Sequence, residues 1–454
     1  MTEIRHPSLY QINTRVWLTA LAEKLGRAAT LDDIRDAELD RLAKMGFDWV
    51  WFLSVWRTGA AGQRVSRANA EWRREFEATL PDLRDEDIAG SGFAITAYTV
   101  PAALGGDAAL ARLRRRLAER GLKLMLDFVP NHMALDHPWV ESHPEYFVSG
   151  TDVDRAREPH NYVRVPRKKG NLIMAYGRDP YFSGWPDTLQ LDYSNPDTQE
   201  AMTRELLKIA GRCDGVRCDM AMLILPEVFE RTWGRRSQPF WPQATSRVRD
   251  KVPGFLFMAE VYWDLEWTLQ QQGFDYTYDK RLYDRLREGH ARPVSEHLHA
   301  ALDYQAKSAR FLENHDEPRA AAAFAPPVHR AAAVITYSVP GLRFFHQGQL
   351  EGRTKRISPH LVRAPREVPD KEIKKFYDRL LAVLRKPVMK GGEWQSLACE
   401  PAWEGNGTWD SFVAHSWQAD GGQRTLVVGN YSALDGQGYL KLPFPEIQGR
   451  SVRL

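Results

Sequence analysis

Eight short apolar runs, alternating with stretches of helical spacing, constrain this chain more than any other feature. They are Leu9–Trp17, Trp49–Val55, Leu122–Val129, Gly215–Asp219, Phe255–Val261, Phe274–Tyr278, Ala309–Asn314 and Leu342–His346. Strands that alternate with helices point to a parallel sheet. One unit is explicit. Asp107 is placed to cap a helix with Leu110, Leu113 and Leu117 on one face, Gly121 follows its end, and the run from Leu122 comes next. A second helix starts at Asn195-Pro196, carries a stripe of Met202, Leu206 and Ile209, and leads into Gly215–Asp219. Eight such strands with their helices are what a (β/α)8 TIM barrel needs, and that fold takes about 250 residues before insertions.

The chain has 454 residues, so the surplus must be housed elsewhere. The stretch 133–193, rich in Pro, Gly, Tyr and Arg, is too long for a plain loop and reads as a subdomain inserted after strand 3. After a helix near Asp370–Leu384, residues 391–454 read as a short β-sandwich-like C-terminal domain, with strands near Phe412–Trp417 and Thr425–Val428. The barrel itself is then 1–132 and 194–390.

Composition removes several alternatives. Lys plus Arg less Asp plus Glu is 62 − 59 = +3, too small an excess to imply a nucleic-acid partner. Cys213, Cys218 and Cys399 make no disulfide scaffold or zinc motif. No run of 18 apolar residues and no apolar leader segment is present, so the expectation is a cytoplasmic protein with no membrane partner. Fifteen Trp supply flat apolar surface suited to sugar stacking or to a large core; Trp51, Trp56, Trp139, Trp185 and Trp263 lie near strand ends or in the insertion.

Four strands end in or just before an acid: Asp127, Glu260, Asp219 and Asp316. In a barrel of this kind the chemistry sits at the C-terminal ends of strands, and an acid after an apolar run is costly to bury unless paired. Arg217 lies two residues before Asp219, on the same strand face, where a cation would lower the carboxyl pKa and suit a nucleophile. Glu260 follows Phe255, Leu256, Phe257 and Met258, a desolvating setting that would raise its pKa and suit a general acid. His132 and His315 could donate to sugar hydroxyls. A nucleophile and an acid flanking one bond is the arrangement of a retaining glycosidase.

These segments carry a resemblance. Asp-Phe-Val-Pro-Asn-His (127–132), Gly-Val-Arg-Cys-Asp (215–219), Ala-Glu-Val (259–261) and Phe-Leu-Glu-Asn-His-Asp (311–316) are similar, in that order, to the four conserved segments of the α-amylase superfamily, glycoside hydrolase family 13. Leu-Gln-Leu-Asp (189–192) resembles the segment that closes that family's inserted domain. The resemblance implies retaining chemistry on α-glucosidic bonds, with Asp219 as nucleophile, Glu260 as acid/base and Asp316 as stabiliser. It implies that Asp127, His132, Arg217 and His315 surround the first sugar. The partner it implies is an α-glucan or oligosaccharide, and no cofactor is needed for the chemistry. It also offers Ca2+ as a structural ion, with Asn131 and Asp192 matching the family's oxygen ligands; the alternative for Asn131 is a hydrogen bond joining insertion to barrel.

Two departures bear on substrate. Many members carry a Lys-His pair three and four residues after the nucleophile, where this chain has Met222 and Leu223, so a less polar acceptor side is expected. Many stack a Tyr on the first sugar; the nearest match here is Gly90-Ser-Gly-Phe93, with no Tyr. Hydrolysis, transfer to a sugar and phosphorolysis share one first step, and the motifs leave all three open. A non-catalytic sugar-binding or assembly role is disfavoured because all three acids are present. The Arg cluster Arg112, Arg114, Arg115, Arg116 and Arg120 reads as the solvated face of a helix. Cys218, by strand alternation, points away from the pocket.

Overall fold

In the computed structural model, which describes residues 4–445 and Gly449, the eight runs form eight parallel strands closed into one barrel. In chain order these are β1 (Ser8–Asn13), β2 (Trp49–Leu53), β3 (Lys123–Phe128), β4 (Gly215–Cys218), β5 (Leu256–Ala259), β6 (Tyr276–Tyr278), β7 (Ser308–Arg310) and β8 (Leu342–His346). Each strand pairs with its sequence neighbours, and β8 returns to β1 with Tyr10 opposite Phe345. The strands are short and almost wholly buried because both faces are covered, by packed barrel interior on one side and helices on the other.

Two strand ends differ from expectation for local reasons. The apolar run Leu9–Trp17 divides at Asn13, whose side chain accepts from the Val16 amide at 3.2 Å and opens helix Thr14–Leu25. Strand β7 stops at Arg310; the residues after it stay buried as far as His315 and lead into a turn in which the Asn314 side chain accepts from the amides of Asp316 (2.8 Å) and Glu317 (2.9 Å). Asp107 is not a helix cap. It lies in the first turn of helix Gly106–Ala118 and accepts instead from the Val100 amide at 2.8 Å and from Arg212 at 2.8 Å. Asn195 does cap helix Pro196–Ala210, a contact worth about 1 kcal/mol. The arginines of helix Gly106–Ala118 and its end meet acids of a neighbouring segment: Arg112 with Asp32, Arg116 with Asp36 and Arg120 with Asp40.

Between β3 and helix Pro196–Ala210 the chain builds a three-stranded antiparallel sheet (Ser149–Gly150, Leu172–Ala175, Tyr162–Val165) and a ribbon pairing His132–Ala134 with Thr188–Gln190. After helix Lys371–Leu384 a second three-stranded sheet forms from Glu393–Leu397, Phe412–Gln418 and Arg424–Asn430. This sheet packs on the barrel helix Pro326–Ser338, where Trp417 Nε1 donates to the Ser338 carbonyl at 2.6 Å and His415 Nε2 lies 2.9 Å from Ser338 Oγ, and a second, two-stranded sheet pairs Cys399–Glu400 with Tyr439–Leu440. Residues 446–448 and 450–454 of this expected domain lie outside the described residues. No helix among the described residues is long and apolar enough to cross a membrane.

A second excursion leaves the barrel after β2. It contains helices Ala60–Ala68 and Ala70–Thr79 and a two-residue strand, Arg57–Thr58, paired with Ile95–Ala97. It is fused to the long loop that follows β8. Phe76, Leu80, Ile88 and Leu361 form a small apolar core of their own. Ile88 and Leu361 make an antiparallel bridge, Ser66 Oγ lies 2.8 Å from His360 Nδ1, and Arg363 spans Asp82 (3.0 Å) and Asp87 (2.7 Å). Arg356 pairs with Glu75 across the same seam. The two excursions therefore form one cap over the side of the mouth nearest β1.

Candidate active site

Strands β3, β4 and β5 are adjacent, and β7 follows two places on, so the four acids share one arc of the rim. Asp127 and Arg217 are register partners on β3 and β4, which sets their side chains at one level. The Arg217 guanidinium, 1% exposed, organises the centre. Its Nη1 lies 2.6 Å from Asp219 Oδ1 and 4.0 Å from Asp127 Oδ1, and its Nη2 lies 2.7 Å from Glu260 Oε2. The rings of Trp51, Phe93 and Tyr278 stand 5.4, 5.2 and 5.9 Å from the guanidinium carbon. A cation held among π faces and carboxylates is compensated without water.

Backbone geometry contributes donors. Ser54 and Met220 lie one and two residues past the ends of β2 and β4, and both adopt positive φ (64° and 42°). Such conformations cost about 1–3 kcal/mol each and concentrate at functional sites. Here each turns an amide onto an acid of a neighbouring strand: Ser54 N donates to Asp127 Oδ2 at 3.3 Å, and Met220 N to Glu260 Oε2 at 2.7 Å. Tyr262 O–H donates to the other Glu260 oxygen at 2.8 Å.

One cation faces three buried carboxyls, so full ionisation would leave net negative charge in a dry site. Burial accordingly raises Asp127 to about 7, with Arg217 opposing. Burial also raises Asp219 and Glu260, again against the pull of Arg217. The expectation that Arg217 places Asp219 below the usual carboxylate range is thus corrected: desolvation exceeds the attraction of a cation shared among several acids. The Glu260 expectation of a raised value agrees in direction, and the Asp219 charge adds to it.

His132 and His315 are both driven down to about 3 by burial and are neutral. Gln11 Nε2 donates to His315 Nδ1 at 2.8 Å, which puts the ring proton on Nε2, 3.1 Å from Asp316 Oδ2. Phe93 lies against His315 with centroids 5.4 Å apart. His132 meets Trp185 edge-on at 5.2 Å. The Asp316 side chain is 43% exposed, so it stands at the open mouth while Asp219 and Glu260 lie at its floor. Of the nine residues singled out from sequence, Asp127, Arg217, Asp219, Glu260, His315 and Asp316 share this arc of the rim, and His132 lies against Trp185 of the insertion. Phe93 occupies the wall beside His315, and a Cβ at Gly92 would collide with Ser54, so that glycine permits the approach.

Met222 and Leu223 are both buried in the 3-10 turn Ala221–Ile224 that follows Asp219. Trp51 and Trp56 are core residues, whereas Trp263 is half-buried and meets Tyr181 edge-on at 4.9 Å. The donors named for calcium do not fit that ion. Asn131 exchanges hydrogen bonds with the Gln190 side chain at 3.2 and 3.0 Å, which ties the insertion to the barrel. Asp192 already pairs with the Arg235 guanidinium through Oδ2 and accepts from Ser194 through Oδ1.

A closed parallel barrel whose C-terminal rim gathers carboxyls around one buried arginine has the arrangement of a barrel enzyme. The chain belongs to the alpha-amylase family: the model of the alpha amylase catalytic domain matches residues 29–396. Among curated proteins it is similar to an alpha-amylase of Haloarcula japonica (25% identity; 61% of this chain, 39% of that protein) and to alpha-amylase 3 of Dictyoglomus thermophilum (23%; 56% and 52%). It is also similar to the trehalose synthase/amylase of Mycobacterium tuberculosis (23%; 70% and 52%). The chain spans about half or less of the length of these relatives. Among solved structures, a maltogenic alpha-amylase of Thermotoga neapolitana superposes with a TM-score of 0.66 at 21% identity, covering 94% of this chain and 86% of that one. The cyclic alpha-maltosyl-(1→6)-maltose hydrolase of Arthrobacter globiformis does so at 0.66 and 16%, covering 96% of each. At these identities the structural likeness concerns the fold.

Proposed function

We propose that this protein cleaves α-glucosidic bonds of malto-oligosaccharide-like substrates with retention of configuration, through a covalent glycosyl intermediate on Asp219. The observation that carries the reading is the single guanidinium of Arg217 joining Asp219 and Glu260. Two carboxyls held on one guanidinium are close enough to flank a single glycosidic bond, as the nucleophile and acid/base of a retaining enzyme must.

Arg217 engages Asp219 Oδ1, so the other oxygen attacks the anomeric carbon. The glycosidic C–O bond breaks as Glu260 gives its proton to the departing oxygen. Once Asp219 is esterified its charge is gone, and with it the repulsion that raises Glu260. The pKa of Glu260 falls, and the same residue then takes the proton of the incoming hydroxyl. Asp316, Asp127, His132 and His315 hold the first sugar and favour its oxocarbenium-like state.

Relatives described as alpha-amylases support α-glucan substrates, and the trehalose synthase/amylase relative supports transfer between sugars. Transfer is the second reading: Trp263, three residues after Glu260, meets the exposed Tyr181 edge-on, and this aromatic pair would offer a stacking face to an acceptor. Incubation with maltose, maltotriose and sucrose, with and without phosphate, separates the outcomes. Glucose or maltose alone means hydrolysis, longer products mean transfer, and sugar 1-phosphate means phosphorolysis. If all substrates are returned intact, the reading fails.

A further inference from the structure

The cap made by the two excursions stands across the barrel from the acid/base strand, and we infer that it closes the donor side of the site around a single sugar ring. The inference rests on the retaining reading above and names the substrate class of that site.

Its first support is topological. Glu260 follows β5, and the cap springs from β2 and β8, the strands on either side of β1. In a ring of eight, β1 stands opposite β5. The leaving group departs toward Glu260, so the far end of the transferred ring points at the cap. Its second support is contact. Arg356 Nη1 donates to the main-chain oxygen of Asp316 at 3.2 Å and pairs with Glu75 of the β2 excursion. The cap thus reaches the acid at the mouth. Phe93, from the same excursion, already lies on His315. Its third support is rigidity. The seam has its own apolar core and the Arg363 ion pairs, so it is a built wall rather than an open lip. Because Glu75 compensates Arg356, the wall favours a neutral sugar end over an anionic one. A substrate is then attacked from its non-reducing terminus, one glucosyl unit at a time.

The test compares two donors by initial rates of fluoride release from the full chain. One is α-glucosyl fluoride. The other is α-maltosyl fluoride with a 4,6-ethylidene group on its outer ring, which requires two rings on the donor side. The expected result is release from the first with kcat/KM at least about 100-fold above the second, a difference of about 2.7 kcal/mol. Arg356→Ala should narrow that ratio at least tenfold, and Glu75→Gln should move it in the same direction. Comparable rates on both donors in the native protein would overturn the closed pocket while leaving the retaining reading intact. A ratio unmoved in both variants would overturn the role of the Arg356 wall. Release from neither donor would remove the retaining reading and this inference together.

Discussion

Arg217 Nη2 lies 2.7 Å from Glu260 Oε2 although the two residues belong to adjacent strands, so the acid/base and Asp219 share one buried cation. Removing it as Arg217→Leu leaves buried carboxyls without a counter-charge, a loss of about 3–5 kcal/mol at neutral pH. The sign of its pH dependence follows from burial. Asp127 is raised from 3.8 to about 7, so the folded state holds that proton more tightly than the unfolded one. Its contribution is most favourable below the unfolded value and declines as pH rises through about 7. Without Arg217 the carboxyls rise further. Denaturant melts from pH 4 to 8 should therefore show the deficit of the variant growing with pH; a deficit constant with pH would contradict this.

Tyr262 reports on the proton of Glu260. Its hydroxyl donates to Oε1, which favours the ionised form. Tyr262→Phe should raise the Glu260 pKa, moving the alkaline limb of the kcat/KM profile upward and lowering kcat about tenfold, with the melting temperature little changed. A profile that keeps its position would assign Tyr262 a packing role only.

The cap should be separable from the barrel. Arg363→Met strands Asp87, which is buried, and breaks the seam. Hydrogen exchange should accelerate in 70–90 and 356–363 while the barrel strands keep their protection. Arg363 holds Asp87 below the usual carboxylate range, so this contribution is complete above about pH 4 and is lost as pH falls. Uniform acceleration across the chain would mean that cap and barrel unfold as one.

Arg235 occupies the place of a cation beside Asp192. Treatment of the purified protein with EDTA is expected to leave the melting temperature within about 1 °C, which corresponds to about 1 kcal/mol or less for a chain of this size. A large fall, restored by calcium, would reinstate the ion.

The barrel was legible because parallel strands covered on both faces leave apolar runs that short spacing reveals. What those runs do not encode is where one element hands over to the next: Val16 and Trp17 extend the apolar run of β1 yet belong to a helix, because Asn13 caps it. The cap was missed because Ala70–Thr79 is mostly polar and its small core is completed only by Leu361, far along the chain. Length was the available signal, since residues 54–122 are too many for one connection and one helix. The acids were legible from their positions after apolar runs. Their partners were less so. The Arg217–Asp219 contact follows from strand alternation, but Arg217–Glu260, Arg235–Asp192 and Arg356–Asp316 join distant segments and depend on the closed barrel.

The most direct measurement of the central claim is the mass of the intact protein after exposure to a slow-turnover fluorosugar, followed by peptide mapping. One glycosyl unit is expected on the peptide containing Asp219, with no adduct in Asp219→Asn. An adduct on another residue, or undiminished turnover in Asp219→Asn, would contradict it.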